Sequence, residues 1–138
     1  MKMRHFILIL LPVFFLISLG FSGAVLKDFR AEPGLNKVEL KWIVTAETGL
    51  RGYRIQRSMD GTTYQKIGFT AAEGVDSGER TYRFVDKTVF KSDGRTFHYK
   101  IQFVNQDGST SDYEKTVAVT PQISSTRHTW GSLKAMFR

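Results

Sequence analysis

Val38-Glu39-Leu40-Lys41-Trp42 and Phe97-His98-Tyr99-Lys100-Ile101-Gln102-Phe103 alternate apolar and polar residues one for one. In an extended chain successive side chains point to opposite faces. A period of two therefore collects Val38, Leu40 and Trp42 on one side, and Phe97, Tyr99, Ile101 and Phe103 on another. Gly52-Tyr53-Arg54-Ile55-Gln56-Arg57 carries the same pattern. Working outward, seven segments read as strands: 25–32, 37–44, 51–58, 63–69, 81–86, 95–104 and 114–120. The fourth is placed at an edge. Between them stand turn residues, among them Pro33-Gly34, Asp60-Gly61, Asp93-Gly94 and Asn105-Gln106-Asp107-Gly108. Short strands at this spacing predict an all-β fold, a seven-stranded antiparallel sandwich, rather than an α/β sheet. No segment repeats at a fixed period, so the strands make one domain.

The pleat also predicts the core. Val38, Leu40 and Trp42 share a parity; so do Tyr53 and Ile55, Tyr82 and Phe84, the four odd positions of 97–103, and Val117 and Val119. These sets are expected to face one another, with Trp42 the costliest residue to truncate. Burying a large apolar side chain contributes roughly 1.5–3 kcal/mol. The chain has no cysteine, so this burial has to stabilise the domain without disulfides. The same absence removes thiolate metal sites and cysteine nucleophiles.

Both ends differ from the middle. Lys2, Arg4 and His5 precede the apolar run Phe6–Leu19, and small residues follow, the layout of a secretory signal peptide over residues 1–24. Ser22 and Ala24 suit cleavage before Val25, and Ser18 suits cleavage after Gly20. An uncleaved anchor is the alternative, although a span needs roughly 20 apolar residues. The net charge is +7. Of the 20 Lys and Arg, Lys2 and Arg4 lie in the leader and Arg127, Lys134 and Arg138 in the tail. Residues 25–120 then hold 15 cations against all 13 Asp and Glu. A near-balanced domain with a basic end is not the charge pattern of a nucleic-acid-binding globule, and no nucleic-acid partner is expected.

Residues 25–120 resemble the fibronectin type III domain, an immunoglobulin-like sandwich. Val38-x-Leu40-x-Trp42 looks like its second strand with the core tryptophan. Gly52-Tyr53-Arg54-Ile55-Gln56-Arg57-Ser58 before Asp60-Gly61 looks like the third strand and turn of bacterial members. Tyr82-x-Phe84-Val85-Asp86 fits the fifth strand, and Gly94-x-x-Phe97-x-Tyr99-x-Ile101-x-Phe103-Val104-Asn105-x-x-Gly108 the sixth and its turn. The family usually places a tyrosine where Phe97 stands, its hydroxyl bonded to nearby backbone. Phe97 keeps the packing and forgoes that bond, worth about 0.5–1.5 kcal/mol, so Phe97→Tyr is expected to stabilise. The resemblance implies an adhesion, spacer or protein-binding role. Arg51-Gly52-Tyr53 and Asp93-Gly94-Arg95 are not the Arg-Gly-Asp motif of some animal members, and that activity is not carried over.

Catalysis finds little support. His5, His98 and His128 have no spacing that makes a metal pair or a Ser-His-Asp set. Glu73, Asp76 and Glu79 do not follow a calcium-loop spacing. No catalytic, cofactor-binding or metal-ligating residue is assigned, and no cofactor. Two features point to binding. Arg54, Lys66, His98 and Lys100 are expected on the outward face of one sheet, with Gln56 and Gln102 among them. This is either a patch for an anionic cell-surface polysaccharide or ordinary solvated charge that discourages edge pairing. Past the linker Ser124-Ser125-Thr126, Thr129 is a candidate cap for a short helix. That helix would place Trp130, Leu133 and Phe137 on one side, with Lys134 and Arg138 largely off it. The tail, residues 121–138, is a candidate for docking on a membrane surface, a partner groove or an export machine; a frayed end or packing onto the sandwich is the alternative.

The expectation is a secreted or cell-envelope, non-catalytic binding or scaffold module of protein-binding or adhesion type, its tail serving attachment or sorting. The alternative is a polysaccharide-binding accessory module of a secreted enzyme system.

Overall fold

The computed structural model describes residues 22–75, 78–89, 94–122, and positions 134 and 136. The leader residues 1–21 and, of the tail, Trp130, Leu133, Phe137 and Arg138 lie outside the described residues. Lys134 is helical and exposed.

Eight strands follow in order: β1 (Gly23–Gly34), β2 (Lys37–Thr48), β3 (Leu50–Ser58), β4 (Gln65–Ala71), β5 (Arg80–Asp86), β6 (Phe97–Asn105), β7 (Thr110–Asp112) and β8 (Val117–Val119). All pair antiparallel, in a three-stranded sheet β1-β2-β5 and a five-stranded sheet β4-β3-β6 with β7 and β8 both on β6. The architecture is all-β.

The alternating residues form the interface between the sheets. Val38, Leu40, Trp42, Tyr53, Ile55, Tyr99 and Ile101 are completely buried. Trp42 stands opposite Tyr82 in the β2–β5 register and stacks on it at 5.6 Å, while Tyr53 crosses from the other sheet to meet the indole edge-on at 5.4 Å. Such offset and edge contacts are the favoured aromatic geometries. Phe84, expected inside, is partly buried and lies across the flank. Gly68 of β4 admits its ring, since a Cβ there would stand 2.2 Å from the Phe84 ring.

Three expectations are corrected. The turn after β1 falls at Leu35-Asn36, with Asn36 at φ 55°, and Pro33 and Gly34 stay in the strand, paired with Val38 and Lys37. The fourth strand starts at Gln65 rather than Thr63, because the Asp60 carboxylate accepts the N–H groups of Thr62 and Thr63 and keeps them in the turn. The last strand, expected over 114–120, is only β8, and β7 forms ahead of that range on the same strand β6. Between them Tyr113 turns its ring inward, 6.0 Å from Phe103 and 6.3 Å from Phe29, while its N–H still donates to Ile101 O, and the ladder lapses over 114–116. Beyond β8, Gln122 bridges Leu35 in parallel, donating to Gly34 O and accepting from Asn36 N.

Candidate binding face

Two carboxylates, Glu47 half-buried and Asp86 buried, fasten the sandwich. At one end Glu47 accepts hydrogen bonds from the Tyr53 and Tyr82 hydroxyls and from Gly74 N. Burial pushes the Tyr82 phenol up to about 12 and the Tyr53 phenol far above its ordinary value, with Glu47 adding to both. Both phenols therefore stay protonated donors at neutral pH. At the other end Asp86 accepts from Tyr99 Oη at 2.9 Å, Arg57 at 2.7 Å, and the Thr88 amide and hydroxyl. Burial raises the Asp86 carboxyl, but these hydrogen bonds outweigh it and hold it below the usual value. Arg57 also covers the Phe97 ring at 5.2 Å. Tyr99, Asp86 and Arg57 thus tie the sheets together beside Phe97.

The two outer faces are built differently. On β1-β2-β5, Arg30 lies near Asp28 and Glu32, Lys41 near Glu32 and Glu39, Arg83 against Glu39, and Lys27 against Glu79. Arg83 is the main reason the Glu39 carboxyl sits low. Each of these cations has a carboxylate, while Lys37 at the start of β2 is exposed with none within ion-pair distance among the described residues.

On the five-stranded sheet the register sets rows across the outer face. Arg54 lies between Phe69 and Gln102, and Gln56 between Lys66 and Lys100. Further along, His98 stands opposite Ser58, its ring close to the Gly61 turn. Arg54, Lys66 and Lys100 thus come together as expected, while His98 sits at the end of the face. Arg54 donates to the Gln102 amide oxygen at 2.7 Å. Lys100 reaches Asp112 at 3.1 Å and lies 4.6 Å from the centre of the Tyr64 ring. Gln102 also donates to Asp112, and these two contacts, Lys100 first, lower the Asp112 carboxyl. Among the described residues, neither Arg54 nor Lys66 has a carboxylate within ion-pair distance. Arg54 Nε and Gln56 Oε1 are buried without a hydrogen-bond partner.

Sequence parity missed Phe69. Counting by two from Lys66 puts residue 69 on the opposite side. A register shift between Ile55 and Gln56 inserts one extra β4 residue, so Lys66 and Phe69 both face out. The Phe69 ring is 43% exposed and rests over Gly52, where a Cβ would meet it at 2.4 Å. Glycine at 52 is the one signal in the sequence that a side chain crosses there.

Among the described residues no group of three or more His, Asp or Glu could hold a metal ion, and no helix is long and apolar enough to cross a membrane. No protein-family model and no curated protein matches the chain. Among solved structures it is similar to the crystal structure of a β-1,2-glucanase from Parabacteroides distasonis, at 25% identity and a TM-score of 0.53. The match covers 72% of this chain and 12% of the glucanase chain, so this chain corresponds to a small part of that protein's length.

Proposed function

We propose that this chain is a non-catalytic binding or scaffold module of a secreted or cell-surface system, and that it binds through the outer face of β4-β3-β6-β7. The observation that carries the proposal is the contrast between the faces: outside one sheet carboxylates pair with Arg30, Lys41 and Arg83 and leave Lys37 at its edge, whereas outside the other Arg54 and Lys66 stand uncompensated together on the β3-β4 pair. The strand order β1-β2-β5 over β4-β3-β6 supports a fibronectin type III-like sandwich, with β7 and β8 as one interrupted final strand. The leader-like run 6–19 supports export, and the basic aromatic tail from Arg127 supports attachment or sorting. A second reading, a polysaccharide-binding accessory module of a secreted enzyme system, is favoured by the similarity to a small part of a glucanase.

The test is cosedimentation of the full-length protein with cell envelopes of its host at low salt. The wild-type protein is expected in the pellet, and Lys66→Glu combined with Arg54→Ala in the supernatant. Equal pelleting of both would remove this face from the function.

A further inference from the structure

We infer that the outer face of β4-β3-β6-β7 binds a carboxylated polysaccharide. The inference rests on the preceding reading of that face as the binding surface and names its ligand class. Charge is the first argument. Lys66 is exposed with no carboxylate in reach among the described residues, and Arg54 spends a guanidinium N–H on a neutral amide. Among the described residues, the carboxylate paired with a cation across this face is Asp112, on Lys100. An anionic ligand complements that excess; a neutral glucan leaves it standing.

Unpaired polar atoms are the second argument. Buried polar atoms in folded proteins are nearly always hydrogen-bonded. Arg54 Nε and Gln56 Oε1 are exceptions that share one face, two residues apart on β3. One is a donor and the other an acceptor. Completing both takes an acceptor for Arg54 Nε and a donor for Gln56 Oε1, met as these covered side chains turn outward on binding, and the carboxylate and hydroxyl groups of an acidic sugar chain supply both.

The third argument is the ring of Phe69. It stands opposite Arg54 and is held over Gly52, which has no side chain to lift it. A large exposed aromatic ring beside polar groups provides a platform for the apolar side of a pyranose, while the neighbouring guanidinium meets its carboxylate. An acidic peptide satisfies the charge and gains less from the ring.

Affinity electrophoresis of the full-length protein tests this, through gels containing polygalacturonate, a neutral β-glucan or polyglutamate. Polygalacturonate is expected to retard the protein, less so as salt rises. Lys66→Glu and Phe69→Ala are each expected to weaken retardation about tenfold. Phe69→Tyr, which keeps the ring, retains it. Arg83→Ala, on the other sheet, leaves it unchanged, and thermal midpoints confirm that each variant is folded. Equal retardation by polyglutamate, indifferent to Phe69→Ala, would overturn the inference by showing a simple polyanion trap. Retardation by neutral glucan, indifferent to Lys66→Glu, would overturn it as well. If no polysaccharide retards the protein while envelope binding still depends on Lys66 and Arg54, the ligand class falls and the assignment of the face stands. If both signals are missing, both fall.

Discussion

Outside β1-β2-β5, Glu39 lies between Lys41 and Arg83, and Glu32 between Arg30 and Lys41. Outside β4-β3-β6-β7, Arg54 turns to an amide and Lys66 to no carboxylate among the described residues. The two faces cover the same core and are made of the same kind of strand. Packing of the interior does not account for their difference, since neither set of side chains points inward. One face has Arg30, Lys41 and Arg83 paired within the chain, with Lys37 left at its edge. The other carries charge that the fold does not use.

The largest test of this comparison removes what both faces share. Trp42 is completely buried and touches aromatic rings of both sheets. Trp42→Ala is expected to cost about 3–5 kcal/mol in urea unfolding. Both outer faces should be lost in a single transition; separate transitions for the two sheets would break the picture of one core. Next comes the tie between the layers. Asp86→Asn leaves Arg57 partly buried without its carboxylate and is expected to cost about 3 kcal/mol. The same variant sharpens the pH dependence. Because the folded Asp86 carboxyl lies below its unfolded value, its stabilisation is complete above the unfolded value. That stabilisation is lost as pH falls through the folded value. The wild-type melting temperature should therefore drop more steeply below about pH 4 than that of Asp86→Asn.

Smaller effects separate the faces directly. Glu39→Gln, which releases Lys41 and Arg83, is expected to lower the melting temperature at low salt, with the loss fading by about 0.5 M salt. Lys66→Glu should change stability by less than about 0.5 kcal/mol at any salt. Equal responses from the two would erase the distinction drawn here. Phe97→Tyr is expected to stabilise by at most about 1 kcal/mol. Asp86, Tyr99 and Arg57 already fasten that corner beside the Phe97 ring.

Much of this was legible in the residues. Val38, Leu40, Trp42, Tyr53, Ile55 and 97–103 announce their faces by parity, because regular pairing preserves a period of two. What parity could not deliver lies where pairing is irregular. The shifted register at Ile55/Gln56 moved Phe69 to the outside. The ladder on β6 lapses over 114–116, which shortens the last strand, and the side chain of Asp60 delayed the fourth. Arg54, Lys66 and Lys100 were found by alternation. Asp112 and Tyr64, which engage Lys100, were not, since their contacts depend on how neighbouring segments pass the sheet edge. The polar pairs at Asp86 and Glu47 likewise join residues far apart in the chain, beyond the reach of any local pattern.

The parallel bridge between Gln122 and Leu35 has a mechanical consequence. It fixes Gln122 beside the far end of β1, whereas Gly23 lies at the near end. Twelve residues of strand separate the two ends, a distance of roughly 35 Å. Gly23 and Gln122 therefore stand at opposite ends of β1. Tension applied between these two residues runs along the strands and strains their hydrogen bonds side by side, not one after another.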